Sequence, residues 1–254
     1  MDDIVRSSEF RVQGGNTFDR LFGSGVISAV SSRQDGNMSL NYGDTTNSLE
    51  NRKNFLNSLG IDYRGLVCAQ QAHGNTVRYI KKEDKGSGAL SYDTAIADTD
   101  AFVTDNKDVP LAIFTADCLS VFLYDPLRPA IGVVHAGWRS SREEIALETV
   151  KFMQDKFNSN PEKLLVGLGP AMRKCCYEVT EDSGEFFPYG LEEINGVLHL
   201  DLIAVNKKQL LSCGVKETNI TDCGKCTFCG NKELFSFRKE KDNCGRMMSV
   251  VMLK

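Results

Sequence analysis

The sequence predicts an α+β fold, and two observations carry that prediction. Strand-like runs come in clusters too tightly spaced to hold a helix between neighbours, and amphipathic helical segments fall between the clusters instead of after each strand. A third observation sets the scale. With 254 residues, 41% hydrophobic and 25% charged, the chain is an ordinary globular one, long enough for a substantial core. No repeat, low-complexity tract or Pro/Ser linker divides it, so residues 1–254 are read as one domain.

The expected strands are 9–13, 25–30, 65–70, 76–80, 101–104, 110–115, 120–125, 130–135, 163–169, 233–237 and 247–253, each a short apolar or alternating run bounded by turn residues. Between 100 and 135 the runs follow so closely, with turns at "DNKD" and "DPLRP", that an antiparallel meander is expected. Three segments read as helices. In 48–60, Leu49, Phe55, Leu56 and Leu59 mark one face and Gly60 suits the stop. In 140–157, Ala146, Val150, Met153 and Phe157 form a stripe, with a capping box at Ser140/Glu143 or Ser141/Glu144. In 201–214, Asp201 offers an N-cap and Gly214 a C-terminal stop. The second of these starts just past His135, which would bring its positive end near that residue and favour an anion there.

Composition excludes several classes of function. A net charge of −4 and basic clusters broken by acids give no phosphate-binding field, so nucleic acid is not expected as a partner. The start "MDDIVRSSEF" has no apolar signal core, and no run reaches the ~18–20 apolar residues that cross a bilayer. A cytoplasmic location is therefore expected, with no membrane contact. Nine cysteines, an odd number at irregular spacing, argue for ligands, nucleophiles or small core residues over a disulfide framework.

The chain has three histidines. His73, in "QQAHGNTV", and His135, in "VVHAGWRSS", both stand where a strand gives way to a loop, a position where sites are commonly built. His199 sits in an alternating strand and reads as structural or exposed. With Cys118 in "TADCLSV", His73 and His135 make a donor set suited to zinc, whose fourth position would be left for water. The long spacings leave open ordinary packing, and also a metal-free pair with Cys118 as nucleophile and His135 as base. A second group, Cys223, Cys226, Cys229 and Cys244, resembles half of a zinc-ribbon or iron–sulfur motif. The second CxxC is missing, so reduced cysteines in a turn are the plainer reading. Arg139, Arg238 and Arg246 adjoin these motifs and are candidate clamps for a phosphate or carboxylate. No GxGxxG, GxxxxGK[ST] or GxSxG is present.

Taken in order, "NMSLNYGDTTNSLENRKNF", "QQAHGNTV", "DTDAFVT", "PLAIFTADCLSVFLYDP", "GVVHAGWRS", "GLGPAMRKCCYEV" and "CTFCGNKELFSFRKEKDNCGRMM" resemble the YfiH-like family. That family was formerly described as multicopper polyphenol oxidoreductases (laccases) and is now regarded as purine nucleoside phosphorylases with adenosine deaminase activity. The resemblance implies mixed β-sheets packed in the interior with helices outside, similar to cytotoxic-necrotizing-factor-like folds. It implies zinc, with copper the lesser choice, on His73, Cys118 and His135. Two positions depart from the pattern: Ser120 stands where the family has Pro, and Ser140 where it has Gly.

The expected activity is phosphorolysis of adenosine, inosine, guanosine or methylthioadenosine, and deamination of adenosine. The catalytic candidates are Cys118, His135, Asp117 and Arg238, with Asn41, Gln71 and Arg139 for substrate. Asp117 serves equally well as acid/base or as a residue orienting a metal ligand. The expected partners are a nucleoside and phosphate, on a monomer or homodimer. The alternatives are a copper-binding polyphenol oxidase, a Cys–His or zinc hydrolase editing a cell-wall peptide precursor, and a non-enzymatic zinc module. Three histidines are too few for a trinuclear copper cluster, and a blue-copper centre would want a methionine near residues 73, 118 or 135.

Overall fold

The structure is a computed structural model and describes residues 18–181 and 186–254. The strand expected at 9–13 lies outside the described residues. In chain order the strands begin β1 (Val26–Val30), β2 (Val67–Cys68), β3 (Val77–Tyr79), β4 (Ala101–Thr104), β5 (Leu111–Thr115) and β6 (Leu119–Asp125). They continue as β7 (Ala130–Ala136), β8 (Leu165–Leu168), β9 (Leu191–Ile194), β10 (Val197–Leu200), β11 (Ile220–Asp222) and β12 (Met247–Leu253).

Two mixed sheets form the interior. One has the order β1-β12-β5-β2 and the other β11-β8-β6-β7-β4-β3, while β9 and β10 make a separate hairpin. The pairs β2/β5, β3/β4 and β8/β11 are parallel and the rest antiparallel. Phe102, Phe122, Ile131 and Val133 of the larger sheet pack on Val30, Leu111, Ile113 and Val251 of the smaller one. Along β6 the side chains alternate: Phe122 faces the other sheet, and Val121 and Leu123 face the helix Ile145–Phe157. Both faces of β6 are therefore buried, which is why Val121, Phe122 and Leu123 at its centre are consecutive apolar residues. Burying Phe122 alone contributes about 1.5–3 kcal/mol.

Helices cover the two outer faces. Phe55 and Leu56 of the helix Ser48–Ser58 cover Ala112, Met248 and Val250 of the smaller sheet. Val150 and Met153 of Ile145–Phe157 and Leu210 of Leu202–Ser212 close the larger sheet. The α+β prediction with interior mixed sheets holds. Asp201 caps the last of these helices, its Oδ1 accepting from the Ala204 amide at 3.0 Å.

Several expectations are corrected. The helix expected over 140–157 is two, Trp138–Arg142 and Ile145–Phe157, because Glu144 takes a left-handed conformation at φ 59°. The five-residue turn after His135 therefore carries no long helix's positive end. Neither capping box forms; Ser140 Oγ instead accepts from the Gly137 amide and donates to the His135 carbonyl. Nor are residues 100–135 a meander, since β5 joins the smaller sheet while β4, β6 and β7 join the larger. Residues 233–237 form turns leading into the helix Phe237–Glu240, with Leu234 and Phe235 buried as core residues off any strand.

Candidate functional site

The chain crosses from the smaller to the larger sheet between β2 and β3 and again between β5 and β6. His73 lies on the first crossing and Cys118 on the second. His135 stands one residue before the end of β7, where Ser120 of β6 is its partner in register. These placements bring the His73, Cys118 and His135 donor atoms within 4.8 Å of one another. The two imidazoles meet edge to face, ring centroids 4.7 Å apart.

Asp100, which the sequence reading missed, organises this group. Its Oδ1 accepts from His135 Nδ1 at 2.7 Å and the His73 amide at 3.0 Å; its Oδ2 accepts from the Ala72 amide at 3.1 Å and the Gly74 amide at 2.8 Å. The three consecutive amides hold His73 at φ 61°, a left-handed conformation uncommon outside glycine. A carboxylate on Nδ1 fixes the tautomer of His135 and leaves Nε2 as the free donor, the usual support of a metal-ligating histidine. The acid opening "DTDAFVT", immediately before a strand that pairs with the His135 strand, was the available signal.

Electrostatics bind the trio further. Burial alone would raise the Cys118 thiol, but His135 and His73 outweigh it and hold it at about 6. Burial would likewise lower His135, yet the Cys118 thiolate and Asp100 lift it to about 9. Without metal the pair is a thiolate and an imidazolium. Gly137 keeps the space open: a Cβ there would stand 3.0 Å from Cys118 Sγ and 3.1 Å from the His73 ring.

The trio forms part of the wall of a cavity of about 520 Å³. Asn41, Gln71, Arg246 and the rings of Tyr42, Tyr92 and Phe114 also line it. The Gln71 amide is committed, donating to the Phe114 carbonyl at 2.9 Å and accepting from the Phe114 amide at 2.7 Å. Arg246 lies over Tyr42 and Phe237, its Nη1 donating to the Cys244 and Gly245 carbonyls. Asp117, at φ 90°, has both carboxylate oxygens engaged, by Thr227 Oγ1 and by the Arg238 amide, each at 2.6 Å. Arg238 and Trp138 line a second, more open cleft with Tyr177. Burial and the nearby Cys118 charge push the Tyr177 phenol up. Arg139 is exposed and lies over Trp138.

The cysteine group expected from sequence needs correction. Cys244 is buried in the core and Cys223 stands apart; the thiols that gather with Cys226 and Cys229 are Cys175 and Cys176. His199 is structural, with Nδ1 donating to the Lys174 carbonyl at 2.6 Å.

The fold and the trio together define an α+β protein with a two-histidine, one-cysteine group, of a kind that could hold a metal ion, at the seam of two mixed sheets. The chain belongs to the family described as multi-copper polyphenol oxidoreductase laccase, which residues 23–254 match. It is 32% identical over 214 residues to purine nucleoside phosphorylase YlmD of Bacillus subtilis, covering 81% of this chain and 77% of that protein. It is 28% identical over 220 residues to adenosine deaminase RL5 from an unknown prokaryotic organism, covering 83% and 84%. The crystal structure of YlmD from Geobacillus stearothermophilus superposes with a TM-score of 0.87 at 30% identity, over 91% of this chain and 93% of that one. The structure of Bacillus licheniformis YfiH gives 0.86 at 31% identity, over 90% and 93%. No helix among the described residues is long and apolar enough to cross a membrane.

Proposed function

We propose that this chain is a zinc-dependent purine nucleoside enzyme, cleaving purine nucleosides with phosphate and deaminating adenosine, in line with the names its relatives carry. One observation supports this above others. The cavity holding His73, Cys118 and His135 also carries flat aromatic walls and a partly engaged guanidinium. A purine needs such walls, and a phosphate needs such a cation.

Two imidazoles and a thiolate, with Asp100 behind one imidazole, fit zinc by donor type and by support. Zinc held there would supply Lewis acidity beside the reacting atoms. The chain's own residues do the rest. Tyr42, Tyr92 and Phe114 stack the base, and Asn41 offers it a hydrogen-bonding side chain. Arg246, with one nitrogen locked on backbone carbonyls and its plane set between two rings, presents its remaining N–H groups to phosphate at little ordering cost. In phosphorolysis a phosphate oxygen bonds to ribose C1′ as the C1′–N9 bond breaks, and the departing purine takes up a proton. Asp117 and Arg238 act as positioning residues behind Cys118, since the Asp117 oxygens are held by Thr227 and the Arg238 amide. Gln71 ties the first crossing to β5 through the Phe114 backbone. Arg139 lies at the second cleft's rim beside Trp138.

Copper would accept the same donors, but among the described residues no methionine lines the cavity to serve as the weak axial ligand of a blue-copper centre. The test is chromatographic product analysis of metal-loaded protein with adenosine, with and without phosphate. Adenine with ribose 1-phosphate, or inosine, is expected, abolished in Cys118→Ala, with Arg246→Ala raising the KM for phosphate over tenfold. Intact adenosine under every condition would overturn the proposal and direct attention to hydrolysis of cell-wall peptide precursors.

A further inference from the structure

Away from the trio, two loops bring four thiols together. The turn after β8 carries Cys175 and Cys176, and the turn after β11 carries Cys226 and Cys229 in "CTFCG". The sulfurs all lie within 4.8 Å of one another. Cys176 is 3.2 Å from Cys229 and 3.6 Å from Cys175, and Cys175 is 3.7 Å from Cys229. Four thiolates on one tetrahedral zinc, with bonds near 2.3 Å, stand about 3.8 Å apart. A disulfide would need about 2.05 Å. An iron–sulfur cluster spreads its thiolates over several irons, and so holds them further apart than a single ion does. We propose that Cys175, Cys176, Cys226 and Cys229 form a second metal site, closed and four-coordinate, that holds one zinc ion.

The backbone is shaped for this. The turn at 226–230 closes with the Gly230 amide donating to the Cys226 carbonyl at 2.8 Å. A Cβ on Gly230 would come within 2.9 Å of that same oxygen, so the tight turn requires glycine. Opposite, the amides of Cys176 and Tyr177 both donate to the Arg173 carbonyl, a turn that places adjacent cysteines on one side. His199 pins the Lys174 carbonyl beside them. The two turns already touch through the Thr227 amide on the Ala171 carbonyl at 3.0 Å. A d¹⁰ ion with four thiolates and no open position has no redox or Lewis-acid role. On binding, the four thiols give their protons to solvent.

Such a site staples the turns that support Cys118. Thr227, next to Cys226, holds the Asp117 carboxylate, and the Met172 amide donates to the Asp117 carbonyl at 2.8 Å. The second metal is therefore structural, and it acts on the trio through Asp117.

The test uses the full chain purified with a reductant. Cys118→Ser removes the trio's thiolate, so zinc that remains reports the second site. Elemental analysis should give one equivalent per chain in Cys118→Ser. After exchange to cobalt, that variant should show near-ultraviolet thiolate charge transfer of four-thiolate strength. Alkylation mapped by mass spectrometry needs no further variant: the exposed Cys175 and Cys229 should be protected until a strong chelator is added, and react after it. Cys226→Ser with Cys229→Ser should lose the ion, and Cys223→Ser should keep it. Metal-free Cys118→Ser, a mass two hydrogens lower showing a Cys176–Cys229 disulfide, or visible absorption from iron would each overturn the assignment.

Discussion

Replacing Asp100 with Asn tests whether one buried carboxylate sets the geometry of the trio. Asp100 is 1% exposed, and its two oxygens accept four hydrogen bonds, two each. An Asn keeps one oxygen and turns the other into an NH₂ group that faces two donors. If the oxygen stays on Ala72 and Gly74, the NH₂ meets the His73 amide and His135 Nδ1, and His135 must give up its Nδ1 proton and keep the one on Nε2, the atom a metal would need. If the side chain flips, the NH₂ meets the Ala72 and Gly74 amides, and His73 loses its support. Either way two bonds to a charged acceptor are lost, at about 1.5–3 kcal/mol each, so the metal-free protein should lose roughly 3–6 kcal/mol. Zinc affinity should fall about 10- to 100-fold, as expected when the support of a ligating histidine is removed. Urea unfolding of the metal-free protein and competition with a chromophoric chelator read the two effects separately. A variant that binds zinc within twofold of wild type would refute the argument, whatever its stability.

In metal-free protein, alkylation of Cys118 should reach half its maximal rate near pH 6, where its thiol is held, and not near its ordinary value of 9. The Cys118 contribution to stability grows as pH rises from 6 towards 9, and that of His135 fades as pH rises from its ordinary 6.5 to 9, so between 6.5 and 9 the two cancel and the pair leaves stability nearly flat. With the four-thiol site removed by Cys226→Ser and Cys229→Ser, metal uptake at pH 7 should release one proton, from His135, and tighten about tenfold per pH unit until pH 9, as an indicator dye would show. Gly137→Ala should weaken zinc binding several-fold while barely changing metal-free stability. The backbone there (φ −77°) suits alanine, and the new Cβ meets Cys118 Sγ at 3.0 Å. Chelator competition beside urea unfolding separates the two. Thr227→Val keeps the shape and leaves one Asp117 oxygen unpartnered, so it should cost about 1.5–3 kcal/mol, checked by urea unfolding; no loss would mean that Asp117 is not anchored there.

The trio was legible because it depends on residue chemistry: few histidines, each at a strand end, and a cysteine at a third. Asp100 was not, because its role appears only once β4 lies beside β7 and the His135 amide reaches the Asp100 carbonyl at 2.7 Å. The four-thiol group failed for the same reason. Cys175 and Cys229 are 54 positions apart and meet only through the parallel pairing of β8 and β11, which no local pattern reveals. Cys244 was drawn in by spacing, yet burial places it in the core. The helix over 140–157 had the right stripe, but periodicity says nothing of one left-handed residue at Glu144. The meander was misread because "TADC" serves equally as a hairpin turn or as a crossing between sheets.

That crossing explains how this fold brings three metal-type donors to one place. His73 and Cys118 lie on the two links that leave β2 and β5, parallel neighbours in the smaller sheet, so both links emerge at the same end. Gln71 continues the pairing beyond β2, its side-chain amide bonding to Phe114 as a backbone amide would. In the larger sheet the links land on β3 and β6, with β7 and β4 between them, and His135 waits at the end of β7. The donors from the links therefore flank the donor from the sheet without either strand having to bend. An ion held there ties the end of one sheet to the end of the other. Its binding free energy then resists separation of the two layers as well as serving the chemistry, adding about 2.7 kcal/mol of stability at a hundred times its Kd.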